Sequence, residues 1–161
     1  KTISWIGDGN NVVHSLLEAS ARFSFNLRIA VPEGSEPEGK YVDWARANGG
    51  DATIMRSPQD AADQADCIMT DCWVSMGQEH RARGHNVFLP YQVNADLMQK
   101  AKSDALFMHC LPAHRGEEVT DDVIDGPHSV VFDEAENRLH AQKAILAWCF
   151  GEAARGIPAH G

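Results

Sequence analysis

Short apolar runs alternate with stretches of helical periodicity along most of this chain. Ile3 to Gly7 reads as a strand. A helix follows over Asn11 to Phe23, with Val12, Leu16, Leu17, Ala19 and Phe23 at helical spacing. Asn26 to Val31 reads as a second strand, and the turn-rich segment Pro32 to Gly39 as a polar loop. A helix over Tyr41 to Ala47 is expected to stop at Gly49-Gly50. Ala52 to Met55 is expected as strand three, Ser57 as the cap of a helix through Ala65, and Cys67 to Thr70 as strand four. Irregular sequence then runs from Asp71 to about Asn94, which is placed to cap a helix to Ser103. Leu106 to Cys110 is expected as strand five, Glu117 to Ile124 as a short acidic helix, and Ser129 to Phe132 as strand six. A final helix covers Glu136 to Ala154, with Ile145, Leu146, Trp148 and Cys149 on or near its apolar face.

Such alternation implies an α/β fold: a doubly wound, mostly parallel sheet with helices on both faces, a Rossmann-like three-layer domain. The domain is expected over residues 1–154, with 155–161 a flexible tail. At 161 residues the chain is long enough for one full core. It opens on a strand without an initiator Met, so it is expected to be a fragment of a longer chain. A formal net charge of -9, without any Lys or Arg run, argues against a nucleic-acid surface. No apolar stretch approaches the roughly 20 residues that span a bilayer, so no membrane partner is expected. The four cysteines, Cys67, Cys72, Cys110 and Cys149, show neither CxxC spacing nor a metal pattern. They read as reduced thiols of a cytoplasmic protein, and no metal site is expected.

Chemistry gathers where strands end. The strand ending at Cys110 is closed by Pro112, which cannot donate to a ladder, so Cys110 lies at the carboxyl edge of the sheet. After strand one, Gly7-Asp8-Gly9-Asn10-Asn11-Val12 resembles a dinucleotide fingerprint, but Val12 occupies the third glycine position. Asn11 is placed at a helix N-terminus, either as an anion contact or simply as the cap. After strand four, Asp71 either holds a cationic amine or caps a turn. The apolar loop Trp73-Val74-Ser75-Met76-Gly77 either tucks into the core or closes over a ligand, with Gly77 as hinge. Arg138, near the start of the last helix, suits a phosphate or carbonyl oxygen, or a surface pair with Glu134 or Glu136.

Four segments together, Trp5-Ile6-Gly7-Asp8-Gly9-Asn10-Asn11, Trp73-Val74-Ser75-Met76-Gly77, His109-Cys110-Leu111-Pro112 and Phe132-Asp133-Glu134-Ala135-Glu136-Asn137-Arg138, closely resemble the ornithine carbamoyltransferase family. The resemblance is to its C-terminal, ornithine-binding domain, over residues 1 to about 150. It implies transfer of a carbamoyl group from carbamoyl phosphate to the δ-amine of L-ornithine, in amino-acid metabolism of the arginine biosynthesis or urea cycle kind. It further implies that Asn11 and the backbone around Ser75 and Met76 hold the ornithine α-carboxylate, and that Asp71 pairs with the α-ammonium. Cys110 would lie beside the δ-amine. The Cys110-Leu111 backbone would meet the carbamoyl group, and Arg138 its oxygen. No metal or organic cofactor is implied. The family's carbamoyl-phosphate motifs, Ser-x-Arg-Thr and His-Pro-x-Gln, are absent from this chain. The implied partners are therefore an N-terminal carbamoyl-phosphate-binding domain and, for the parent, a homotrimer or a multiple of it. The resemblance also implies a cis Leu111–Pro112 peptide. Val74 to about Asn86 is expected to be the most mobile internal segment without ornithine, since its apolar side chains would be fixed only by a ligand or by closure against the other half. Two rival readings are a dinucleotide-dependent dehydrogenase domain, with Glu33 as the acid after strand two, and a non-catalytic amino-acid-binding module.

Overall fold

The computed structural model describes residues 1–73 and 85–151. Five parallel strands, β1 (Thr2–Ile6), β2 (Asn26–Ala30), β3 (Asp51–Met55), β4 (Cys67–Thr70) and β5 (Leu106–His109), form one sheet in the order β3-β2-β1-β4-β5. The doubly wound, three-layer expectation holds. The chain winds outward from β1 to β3, then returns to place β4 against β1. That reversal opens a crevice at the carboxyl ends of β1 and β4, the place where such sheets bind ligands.

Side-chain alternation along the strands builds a core on each face. Trp5 and Met69 point to the layer formed by α1 (Asn11–Phe23) and α2 (Gly39–Ala47), where they meet Val13, Leu17, Val42 and Ala45. Ile6, Ile68 and Phe107 point the other way, toward α3 (Pro58–Ala62), α5 (Ala95–Met98) and α6 (Asp121–Ile124). Both faces of the central strands are covered, which is why β4 is buried at all four positions. A short helix α4 (His85–Phe88) and a 3₁₀ turn, Leu89–Tyr91, lead into α5.

Several helices are shorter than the periodicity suggests. Ser57 does cap α3, accepting from the Asp60 N–H at 3.1 Å, but the helix ends at Ala62 and not Ala65. Asn94 caps α5, accepting from the Leu97 N–H at 3.0 Å, and α5 ends at Met98 and not Ser103. The acidic helix α6 starts only at Asp121. Strand six does not form. Ser129 makes one parallel bridge with Phe107, whose N–H and carbonyl are taken by His128 and Val130. Val131 then opens α7 (Val131–Cys149), because only Val131 of this apolar run is buried while Phe132 points outward. Helix α7 therefore begins five residues earlier than expected. The expected end at Ala154 and the tail 155–161 lie outside the described residues. Leu139, Ile145, Leu146 and Trp148 stand exposed on α7 and cover no core formed by the described residues.

At the amino edge of the sheet, Asp66 ties β1 to β4. Its carboxylate accepts from Lys102 Nζ at 2.7 Å, the Thr2 N–H at 2.7 Å and Lys1 Nζ at 3.0 Å. These hydrogen bonds, led by Lys102, hold its carboxyl well below the usual carboxylate range. A depressed folded-state value means the stabilisation is present above the unfolded value, near 3.9, and fades as pH falls through the folded one. Denaturant midpoints measured from about pH 7 to about pH 3 should fall steeply below about pH 4. Asp66→Asn should start lower at neutral pH and show a flatter acid limb. A parallel acid limb in the variant would mean Asp66 contributes nothing to acid sensitivity.

Candidate active site

Three strand ends converge at the switch point. Beyond β1, Gly7 takes φ +136°, and its N–H donates to the Ala30 carbonyl. The thread then passes tightly under the Pro32–Pro37 loop. A Cβ on Gly9 would sit 2.4 Å from both Ser35 O and Pro37 N, while the Gly9 N–H donates to Ser35 O at 2.9 Å. Gly9 is glycine because this chain's own backbone lies against it. That accounts for Gly-Asp-Gly without a pyrophosphate and removes the main support for the dehydrogenase reading.

The cap of α1 is Asn10, not Asn11. Asn10 Oδ1 accepts from the Val12 N–H at 2.9 Å and the Val13 N–H at 3.4 Å. Its Nδ2 donates to Asp71 Oδ2 at 3.0 Å. Asn11, the first helical residue, is exposed at the same helix mouth. Asp71 thus leaves β4 with its two oxygens fixed separately. Oδ1 accepts the Cys72 N–H at 2.8 Å and the Cys110 thiol at 3.2 Å. The sequence brings Asn11, Asp71 and Cys110 to one edge; Asn10, which orients the carboxylate, was missed in favour of its neighbour.

The third strand end is built on a buried pair. His109 and Glu118 are both fully buried, with Nε2 and Oε1 3.2 Å apart. His109 Nδ1 accepts the Leu111 N–H at 2.9 Å, so the ring proton lies on Nε2 and is donated to Glu118. Glu118 Oε1 also accepts the His114 N–H at 2.5 Å. Burial pushes the Glu118 carboxyl up, but the hydrogen bonds from His109 and the His114 backbone outweigh it and hold the group below its usual value. Between these anchors the chain reverses, with Leu111 at φ +55° and a cis Leu111–Pro112 peptide, as expected. The reversal leaves Cys110 exposed at the crevice.

Burial, then the negative charge of Asp71, pushes the Cys110 thiol up to about 12. Cys110 is therefore a protonated hydrogen-bond donor at neutral pH, not a thiolate nucleophile. Glu134, on the first turns of α7, reaches the same region. Burial raises its carboxyl, opposed by His109 and reinforced by Asp71. Arg138 lies one helical turn beyond Glu134, in the second turn of α7 rather than at its start. Among the described residues it has no hydrogen-bond or ion-pair partner, and Glu136 sits beside His140 instead, at 3.7 Å. Ser75, Met76 and Gly77, and most of the segment expected to be mobile, lie outside the described residues.

Residues 1–149 match the family model described as Aspartate/ornithine carbamoyltransferase, Asp/Orn binding domain. The chain belongs to this family. It is 80% identical over 151 residues to an ornithine carbamoyltransferase of Mesorhizobium japonicum, covering 94% of this chain and 50% of that protein. The Brucella abortus ornithine carbamoyltransferase is 71% identical over 156 residues, 97% of this chain and again 50% of the relative. Among solved structures, the ornithine carbamoyltransferase of Pyrococcus furiosus superposes with a TM-score of 0.84 at 54% identity, covering 91% of this chain and 48% of that one. The anabolic ornithine carbamoyltransferase of Campylobacter jejuni gives 0.88 at 32% identity, over 94% and 52%. The chain spans about half the length of the relatives it matches. The motif resemblance and the family agree.

Proposed function

We propose that this chain is the ornithine-binding half of an ornithine carbamoyltransferase, which transfers the carbamoyl group of carbamoyl phosphate to the δ-amine of L-ornithine, giving L-citrulline and phosphate. The observation that carries this reading is Asp71, a carboxylate at the switch point, aimed by Asn10 and touching the Cys110 thiol. An amino acid with two amines fits it: the α-ammonium on Asp71, the α-carboxylate on Asn11 and the Ser75-Met76 backbone, the δ-amine beside Cys110.

The amine must arrive unprotonated. Its free value is near 10.4, and Cys110, itself raised to about 12, is no base at neutral pH. Cys110 acts as a positioning donor and acceptor that selects the neutral amine. That amine attacks the carbamoyl carbon, the C–O bond to phosphate breaks, and the second amine proton leaves with the phosphate. The Cys110-Leu111 backbone orients the carbamoyl group, and Arg138 meets the charge developing on its oxygen. The N-terminal half supplies the phosphate clamp and docks on the exposed apolar positions of α7, and the parent assembles as a homotrimer or a multiple of one. No metal or organic cofactor takes part in this chemistry. We place the enzyme in the cytoplasm; among the described residues no helix is long and apolar enough to cross a membrane.

The test is a carbamoyl-transfer assay on the full-length protein containing this half, with L-ornithine and L-aspartate as competing acceptors. Citrulline is expected, and carbamoyl-aspartate in its place would overturn the reading. Asp71→Asn should remove a charge-assisted hydrogen bond worth about 1.5–3 kcal/mol. The KM for ornithine should then rise about 10- to 150-fold, at 1.4 kcal/mol per decade, with little change for carbamoyl phosphate. Equal loss for both substrates would make Asp71 structural.

A further inference from the structure

Behind the crevice, a second group of side chains meets where β4 and the loop after β5 come together. Cys72 Sγ, one nitrogen of His114 and a carboxylate oxygen of Glu118 all lie within 4.8 Å of one another. His114 Nδ1 and Glu118 Oε2 are 3.7 Å apart. Glu118 is fully buried, yet among the described residues Oε2 has no hydrogen-bond partner. A buried carboxylate oxygen left without a donor costs free energy, so something must normally complete it. Its other oxygen is fully engaged, held by His109 Nε2 and the His114 N–H. This is the support that metal-bound carboxylates receive from outer histidines and backbone groups, and it aims Oε2 at Cys72 and His114.

We propose that Cys72, His114 and Glu118 form a binding site for a thiophilic divalent cation of the zinc class. One sulfur, one imidazole nitrogen and one carboxylate oxygen, with water as fourth ligand, suit tetrahedral Zn²⁺ and disfavour the all-oxygen preferences of Mg²⁺ and Ca²⁺. In a tetrahedral site with Zn–S near 2.3 Å and Zn–N or Zn–O near 2.0 Å, neighbouring ligand atoms stand about 3.3–3.6 Å apart. With every pair of ligand atoms now within 4.8 Å, binding draws them closer together, and Cys72 Sγ, which now donates to Pro112 O at 2.8 Å, turns to the metal. On binding, the Cys72 thiol gives its proton to solvent, the S–metal bond forms, and Pro112 O loses its donor. His114 is half exposed and provides the route of entry. The ligands are 42 and 4 positions apart in sequence, a spacing that no linear metal motif shows. The cluster shares no residue with the Asp71, His109 and Cys110 group, which it adjoins through the His109–Glu118 hydrogen bond and the Cys72 N–H on Asp71.

Co²⁺ alone is the probe, titrated into this chain under reducing conditions, because a cobalt–thiolate bond gives a near-ultraviolet charge-transfer band. A band saturating at a single equivalent, and displaced by Zn²⁺, is expected. Cys72→Ser should abolish it, with the far-ultraviolet circular dichroism unchanged. His114→Ala, at a half-exposed position that does not threaten folding, should weaken Co²⁺ binding at least tenfold. Cys110→Ser and Cys149→Ser should keep the band. No band in the parent chain, a band surviving Cys72→Ser, an affinity unmoved by His114→Ala, or a band lost with Cys110→Ser would each overturn the assignment.

Discussion

Alone, this chain is expected to fold and to form no detectable citrulline. Folding follows from the two cores, one on each face of a five-stranded sheet, built wholly from described residues of this chain. Failure of turnover follows from how little the proposed site offers carbamoyl phosphate: the Cys110-Leu111 backbone and Arg138, with no phosphate clamp proposed among the described residues. Holding an electrophile against its nucleophile accounts for about 7–11 kcal/mol of barrier lowering, and losing most of it slows turnover by several orders of magnitude. Ornithine, whose proposed contacts lie on this half, should still bind weakly. Adding the family's N-terminal half as a separate polypeptide should restore part of the activity, since α7 presents Leu139, Ile145, Leu146 and Trp148 to solvent. Citrulline formation by this chain alone, at a rate near that of the reconstituted pair, would refute the two-half reading.

The elements that the sequence displayed best were those whose signal is local. Strands β1 to β4 and helix α1 carry period and length enough to be read directly, and the caps Ser57 and Asn94 act on their own helices. Ser129 to Phe132 misled because a short apolar run has no period of its own. Its pairing with β5 stops at one bridge, and α7 claims the rest. The site was legible where a strand end and a polar residue coincide, as at Asp71 and Cys110. It was illegible where a role depends on contacts distant in sequence. Nothing local distinguishes Asn10 from Asn11; only Asp71, just beyond the end of β4, decides which amide faces the crevice. Glu118 falls in the stretch read as a short acidic helix, and its burial is set by His109 and by the return of the chain at Val119. Gly9 looked like half of a cofactor motif until the Ser35–Pro37 backbone was found against it.

Breaking the His109–Glu118 pair is expected to produce the largest stability loss of any single side-chain change at the site. Both groups are fully buried, and each also holds a backbone N–H of the loop that presents Cys110 and Leu111. His109→Leu would strand an ionised carboxylate in the core and leave the Leu111 N–H without its acceptor. Removing the donor that faces a buried ionised carboxylate leaves that charge uncompensated, at a cost of about 3–5 kcal/mol. At about 2–4 °C per kcal/mol for a domain of this size, Tm should fall by about 6–20 °C. Glu118→Met should cost less, because a neutral imidazole left behind is cheaper to bury than a carboxylate. The double variant decides whether the pair acts as a unit. With both polar groups replaced by apolar ones of similar volume, its loss should be smaller than the sum of the single losses by at least about 1 kcal/mol, within the range seen for contacting residues. It should not return to the parent value, because the Leu111 and His114 N–H groups remain unbonded, each costing about 1–3 kcal/mol. The same two orphaned donors loosen the reversal at Leu111–Pro112, so Cys110 should lose its contact with Asp71 and alkylate faster than in the parent. Strictly additive losses in the cycle, or single losses below about 1 kcal/mol, would reduce His109 and Glu118 to ordinary core filling.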